Sequence, residues 1–445
     1  MKILFLTLVM AAPLSAADYY VAPNGSDRSR GSREQPFGTI ARGLAAARSP
    51  GDNVTVRKGV YRPAAGLRLV NPGADGRPIT LRAAPDEEVV IDGLDTPKDS
   101  NLINIATHHI RVQGLTVRNS TGIGIAAWGP GSRVNHVEII GNTILHCHRS
   151  GIYAGFNQLS DPVRDLVFEG NVIHDNVQRN KASPRPAWDF GMGAGHSKNV
   201  TMRNNVVYQN YGEGIGLYLS DRGVIEGNVS HDNFSINVYL DNATRCRVDR
   251  NFIYCTGDRD FFRFDQPAAG VQIANERYGP SANPSSDNVI INNVLVGNLC
   301  AFRYGSYQGG GGLKNTVFAH NTAYGSTGAL LSIDADAGHA NTRIINNIFQ
   351  QIGRVPMTNF RAQPGQIEMR NNLWAGVQPQ PSARGEGDVM GDPLFVRPGG
   401  KSAGDYRPMK ESRALNAGLT IEDVTVDFGG RRRVGPMDLG AWESP

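Results

Sequence analysis

Between Asn135 and Ala375, short segments of alternating apolar and polar residues recur, each running into an asparagine followed by mostly aliphatic positions. Segments such as Val200–Tyr208 (VTMRNNVVY) and Asn288–Val296 (NVIINNVLV) are rich in β-branched residues and too short for ordinary helices, so the pattern predicts strands. A polar turn and a further short strand follow, as in Gly214–Leu219, Asn237–Asp241 and Gly270–Ala274. The nine asparagines are Asn142, Asn171, Asn205, Asn228, Asn251, Asn293, Asn321, Asn347 and Asn372, at successive intervals (by subtraction) of 29, 34, 23, 23, 42, 28, 26 and 25 residues. A period of this size marks a solenoid, and two or three strands per period with no helical stretch between them predict the coil of a parallel β-helix. Stacked coils place equivalent residues about 4.8 Å apart, so each asparagine is expected to turn inward and hydrogen-bond its counterparts above and below. These asparagines are scaffold and not candidates for chemistry.

Composition agrees with an all-β, turn-rich chain: 53 Gly and 25 Pro in 445 residues punctuate many turns. A chain of this length could hold two or three ordinary domains, but a solenoid grows as one unit, so a single domain is expected over residues 18–445. Residues 1–17 have one Lys, an apolar run and then small residues. They read as a secretory leader cleaved before Asp18, too short in its apolar run to anchor in a membrane, and the expected product is secreted or periplasmic. Cys147, Cys246, Cys255 and Cys300 lack the paired spacing of a zinc site. Export would permit a disulfide between Cys246 and Cys255, and buried small hydrophobes are the alternative.

The net charge of +4 is close to neutral for this length and compatible with an acidic glycan partner. No basic run with interleaved aromatics and no phosphate-loop pattern occurs, so nucleic acid and nucleotides are not expected partners. Arg431–Arg433 is expected to be a solvated loop, and a monomer is expected.

Two terminal stretches carry a resemblance. Tyr19–Asp27 (YYVAPNGSD), Gln35–Ile40 (QPFGTI), Gly51–Val56 (GDNVTV) and Lys58–Tyr61 (KGVY) resemble the opening of exported right-handed parallel β-helix proteins that act on polysaccharides, among them pectate and alginate lyases and β-helix glycoside hydrolases. Gly391–Phe395 (GDPLF), Asp405–Arg407, Ala414–Gly418 (ALNAG) and Asp438–Glu443 (DLGAWE) resemble their C-terminal closures. The resemblance implies a right-handed, single-stranded β-helix and polysaccharide cleavage, without separating lyase from hydrolase.

Chemistry on such a fold is expected on the outer face of one sheet, where successive coils form a groove. Registering the coils on their asparagines puts Ile215 and Leu217 inward and therefore Gly216 and Tyr218 outward. The same register exposes Tyr239 and Asp241 on the next coil and Gln272 on the one after, with Glu276 just beyond, and on earlier coils it exposes Tyr153, Gly193 and Gly195. The glycines beside aromatic and acidic residues suggest a floor for a sugar. The longest intervals, 34 and 42, bracket residues 188–276, so two loops are expected to rise around the site.

Glycoside hydrolysis needs an acid to protonate the leaving oxygen and a carboxylate as nucleophile or base. Glu213, Asp241 and Glu276 are the expected trio, with Asp189 as a fourth, and neighbouring coils are expected to bring Glu213 and Asp241 to a suitable spacing. Tyr153, Trp188, His196, Tyr218, Tyr239, Gln272 and Arg303 are the expected substrate contacts, the tyrosines as stacking surfaces. Asp221 and Asp232 are expected to cap turns. Elimination from a uronic-acid polymer is the alternative: it needs a base, an acid for the leaving oxygen and a cation beside the carboxylate. The lyases that the chain resembles use Lys or Arg with calcium held by acidic side chains. No Lys falls on the outward strand positions, a departure from that pattern in which Tyr218, Tyr239, His196 or Arg303 would have to serve instead; no cofactor is expected under hydrolysis, and Ca2+ enters only under elimination, with Glu213 and Asp241 as its oxygen donors. A noncatalytic glycan-binding β-helix is the third reading.

Overall fold

In the computed structural model of the chain, residues 16–157, 160–181, 188–279 and 283–444 are described. The expected leader therefore lies, except for Ala16 and Ala17, outside the described residues. Each coil contributes three strands, and the strands stack in parallel into three sheets of 13, 11 and 13 strands. This is the expected all-β parallel solenoid.

The asparagine ladder explains how each coil turns. Asn205 Nδ2 donates to Asn228 Oδ1 at 3.0 Å and to the carbonyls of Phe168 and Arg203, while its own Oδ1 accepts from Asn171 N and Nδ2, both at 2.9 Å. The chain of bonds begins at Leu115 N and ends on Asp388 Oδ1. The residue before every ladder asparagine is left-handed: Gly141, Gly170, Asn204, Gly227, Arg250, Asn292, His320, Asn346 and Asn371 have φ of 62, 64, 56, 64, 55, 53, 52, 59 and 50°. Gly and Asn tolerate that conformation best, and this accounts for the recurrent Gly-Asn and Asn-Asn pairs.

A second ladder was not anticipated, built from asparagines five residues on from the first and joined by Asn237. Asn176, Asn210, Asn233, Asn237 and Asn298 pass amide bonds along the neighbouring corner, with Asn176 Nδ2 donating to Asn210 Oδ1 at 3.1 Å and Asn237 Nδ2 to Asn298 Oδ1 at 3.0 Å. This corner feeds the 11-stranded sheet. The inner column of that sheet, Ile152, Met192, Ile215, Val238, Val271 and Phe302, is fully buried.

The helix Ile40–Ala46, capped by Thr39, closes one end of the solenoid, with Ile40 and Leu44 in the core. At the other end the closing segment packs Phe395, Tyr406, Leu439 and Ala441 against Val294, Ile348 and Leu373. Two expectations change here. Arg433 is not solvated: its guanidinium is buried and donates to Glu443 Oε2 at 2.8 Å and Asn292 Oδ1 at 2.9 Å, tying the closing segment to the coils. All four cysteines are free thiols, three of them buried, so the small-hydrophobe alternative holds. Among the described residues no helix is long and apolar enough to cross a membrane.

Candidate active site

The outer face of the 11-stranded sheet carries the groove. Strand pairing aligns Tyr153, Gly193, Gly216, Tyr239, Gln272 and Arg303 in one column and Trp128, Gly155, Gly195, Tyr218 and Asp241 in the next, on the face that the asparagine register assigned. Two cavities of about 520 and 410 Å³ lie end to end along it, and Trp188, Glu213, Tyr239 and Glu276 line both.

Strict alternation would turn Glu213 inward with Ile215. A break at Gly214 prevents this. A Cβ at Gly214 would lie 2.6 Å from Asn233 Nδ2 and 2.8 Å from Ser230 Oγ, so Gly214 faces the interior together with Ile215, and Glu213 is left in the groove. Asp241 stands at the other end of the strand run. Tyr218 and Asp241 are register partners, so the Glu213 and Asp241 backbones are separated by one coil and five strand positions, roughly 16 Å of strand. Coil adjacency alone therefore does not set the carboxylate spacing, contrary to expectation. Both side chains nevertheless line the first cavity, close enough for the Asp241 charge to act on the Glu213 titration.

The third carboxylate, Glu276, follows the strand Ala269–Ala274, where its backbone N–H donates to Asn242 Oδ1 at 2.7 Å. Tyr239 donates its hydroxyl to Glu276 Oε1 at 2.7 Å, and Tyr278 donates to Asp241 Oδ2. Glu213 Oε2 and Asp241 Oδ1 are buried and have no hydrogen-bond partner among the described residues. Burial, followed by the negative charges of Asp241 and Glu276, holds the Glu213 carboxyl well above its usual range. Burial, reinforced by Glu276, pushes Asp241 up to about 8, although the Tyr278 hydroxyl opposes the shift. Burial and the same carboxylates also drive the Tyr239 and Tyr278 hydroxyls far above 10, so both act as donors.

The other expected residues divide. Trp188, Tyr153 and Tyr218 line the first cavity, and Gln272 and Arg303 line the second. Tyr239 is 4% exposed, so it offers Glu276 a hydroxyl and is no stacking surface. Asp189 lines the groove with its carboxylate committed to two arginines, Arg149 at 3.1 Å and Arg179. That pairing fits a structural anion better than a proton carrier. His196 lies outside both linings, edge-on behind the Tyr218 ring at 5.3 Å. Gly193 and Gly216 are not an open sugar floor: a Cβ at either would strike the Phe190 ring, which lies over them between Tyr153 and Tyr218 at 6.4 Å from each. Asp221 and Asp232 stay outside the groove, bonded to Arg245 and to His231 with the Thr256 amide.

Sequence reading missed Trp128, Phe190, Arg263, Tyr278 and Tyr307. Trp128 shares a register column with Tyr218 and Asp241, so the asparagine ruler, carried one coil back beyond Tyr153, would have found it. Arg263 and Tyr278 come from the two segments inserted in the 42-residue interval. The expected loops do meet over the site, where the Arg263 guanidinium sits 4.0 Å from the centre of the Trp188 ring.

A bound Ca2+ would require about six to eight oxygens at about 2.3–2.6 Å. Among the described residues no three acidic, His or Cys side chains come together as a metal group, and Asp241 and Glu276 each already accept a tyrosine hydroxyl. The residues present do not fit that ion.

The family model described as Pel9A-like, right handed beta helix region, matches residues 19–308. The protein YwoF of Bacillus subtilis (strain 168) is 27% identical over 352 residues, 69% of this chain and 69% of its own length. Pectate lyase PEL9 of Emericella nidulans is 23% identical over 357 residues, 77% of this chain and 80% of its own. Among solved structures, XylC in complex with xylose superposes with a TM-score of 0.68 at 13% identity, covering 96% of this chain and 98% of that one. Pectate lyase Pel9A superposes with a TM-score of 0.60 at 16% identity, covering 97% and 98%. These two likenesses show a shared fold.

Proposed function

The chain belongs to the Pel9A-like right-handed β-helix family, and on that premise we propose that it is a carbohydrate-active enzyme cleaving glycosidic bonds in a polysaccharide, with the chemistry of its own groove favouring carboxylate-mediated hydrolysis. The carrying observation is Glu213: a buried carboxyl whose titration is raised first by burial and then by neighbouring acid charge, with one oxygen unpartnered among the described residues of the groove. Such a group is a proton donor for a leaving glycosidic oxygen. Glu276, its position set by Tyr239 and Asn242, supplies the carboxylate that attacks the anomeric carbon or takes a proton from the attacking water. Asp241, neutral below about pH 8, adds no second charge beside Glu276. Trp128, Tyr153 and Trp188 offer ring surface to the sugar.

Elimination is the second reading, favoured by the family itself and by the pectate lyase relative. Against it, the tyrosines are held far from ionisation and, among the described residues, the acids do not form a calcium group and no lysine lines the groove, which leaves Arg149, Arg263 and Arg303 as its cations. Export through the leader of residues 1–17 belongs to the same proposal. It predicts a mature N-terminus at Asp18 when the secreted protein is sequenced.

The deciding experiment digests neutral and uronic polysaccharides and follows new reducing ends alongside ultraviolet absorbance. Hydrolysis yields reducing ends alone. Absorbance from an unsaturated uronide, rising in step with them, overturns the hydrolytic reading. Glu213→Gln is expected to lower kcat by about 10²–10⁴, the usual contribution of a positioned acid.

A further inference from the structure

The two ends of the groove differ in charge. In the first cavity the cation is Arg149, which is ion-paired at 3.1 Å to Asp189, a carboxylate it shares with Arg179. The second cavity holds Arg263 and Arg303, and among the described residues neither guanidinium makes an ion pair. By contrast Arg111 pairs with Glu138 at 2.7 Å, Arg203 with Glu169 at 2.8 Å and Arg247 with Asp249 at 3.0 Å, while the unpaired outward arginines Arg68 and Arg343 are exposed and lie outside the groove. Arg263 is positioned by an aromatic contact with Trp188 at 4.0 Å and by donating Nη1 to Ser235 Oγ at 3.3 Å, and its Nε is buried without a partner. Arg303 follows Tyr239 and Gln272 in one register column, two coils beyond the tyrosine that holds Glu276. Glu213 lies near enough for Arg263 to act on its titration, but it is held protonated and so does not discharge the guanidinium.

From this asymmetry the geometry points to an anion subsite: Arg263 and Arg303 bind a carboxylate or sulfate on the sugar unit that lies toward the C-terminal coils, while the aromatic half takes an uncharged unit. The substrate class is thus a glycan carrying its charge on one side of the cleaved bond. This rests on the reading that Glu213 and Glu276 mark the point of cleavage. Guanidinium suits the task because its planar donors match the two oxygens of a carboxylate or sulfate. A lysine, a compact and strongly hydrated charge, would match them less well. The two cations also lie on the side of the groove where an acidic sugar would otherwise meet Glu276 unscreened.

The test measures binding by calorimetry on the full chain carrying Glu213→Gln, with three ligands: a uronate oligosaccharide, its carboxyl-reduced counterpart, and a sulfated neutral oligosaccharide. The expected result is a preference for an anionic ligand over the carboxyl-reduced one. That preference should fall tenfold or more in Arg303→Met and again in Arg263→Met, with a weaker salt dependence in each. Selectivity for the uronate, for the sulfated ligand or for both supports the subsite and names the anion. Equal weakening of charged and uncharged ligands, or an unchanged preference, overturns it. If Arg263→Met lowers thermal stability, Arg303→Met alone decides. Cleavage of a ligand during the titration at the rate of the unsubstituted protein sinks the reading of Glu213 and is scored separately from the binding preference.

Discussion

Asp241→Asn should make the protein more stable at alkaline pH, and the size of the gain follows from the site. Asp241 is 1% exposed and titrates near 8 in the fold, against 3.8 for an ordinary aspartate. Its folded value is raised, so unfolding releases a proton between those pH values. The stability tied to the carboxyl is fully present below about pH 4 and is lost as the pH rises to about 8. At about 1.4 kcal/mol per pH unit, the loss across that window has an upper bound of about 6 kcal/mol. Water entry and side-chain movement around the ionised group reduce the figure, so a gain of about 3 kcal/mol is expected for Asn at pH 8.5, and almost none at pH 4. Asn keeps an oxygen to accept the Tyr278 hydroxyl, while its NH2 takes the place of Asp241 Oδ1, which has no partner among the described residues, and this also holds the gain below the upper bound. The assay is urea unfolding from pH 4 to 9, comparing midpoints at equal slope. Parallel profiles for the two proteins, or a less stable Asn variant at pH 8.5, would refute the account of Asp241 as a buried carboxyl kept at an energetic cost for chemistry.

Asn205→Ala removes the partner of five hydrogen bonds, four of them buried, and should cost about 3–5 kcal/mol by urea unfolding, whereas Asn199→Ala, whose amide meets Asp165 at the surface, should cost less than about 1 kcal/mol. Equal effects would show that the ladder contributes no more than a surface bond. Tyr278→Phe withdraws the hydroxyl that lowers the Asp241 titration, so the alkaline arm of any profile governed by Asp241 should move upward; a downward move contradicts the assignment. Chelation with EDTA is expected to leave the rate on any cleaved polysaccharide unchanged, and a loss restored by Ca2+ would return elimination to first place.

How far the sequence alone reached is clearest in single residues. The asparagine period was enough for the all-β solenoid, the inward ladder and the outward face holding Tyr218, Tyr239 and Asp241, because strand alternation and coil stacking are local rules acting on a repeated pattern. It also located the inserted loops, because extra length within a coil has nowhere to go but outward. The second asparagine ladder was equally legible: Asn171 and Asn176, Asn205 and Asn210, Asn228 and Asn233, and Asn293 and Asn298 are each five residues apart.

The tertiary structure decided what depends on three dimensions at once. Glu213 faces the groove because Gly214 breaks the alternation against Asn233, a residue of the next coil. Phe190 covers the glycine floor, Asp189 is taken by two arginines, and Tyr239 is buried under Glu276, each through contacts between coils that no local pattern encodes. Arg263 and Tyr278 arrive from insertions outside the repeat, where the period carries no information about position. The raised titration of Glu213 and Asp241 belongs to the same category: desolvation and neighbouring charge are properties of the assembled groove and cannot be assigned to either residue in the linear chain.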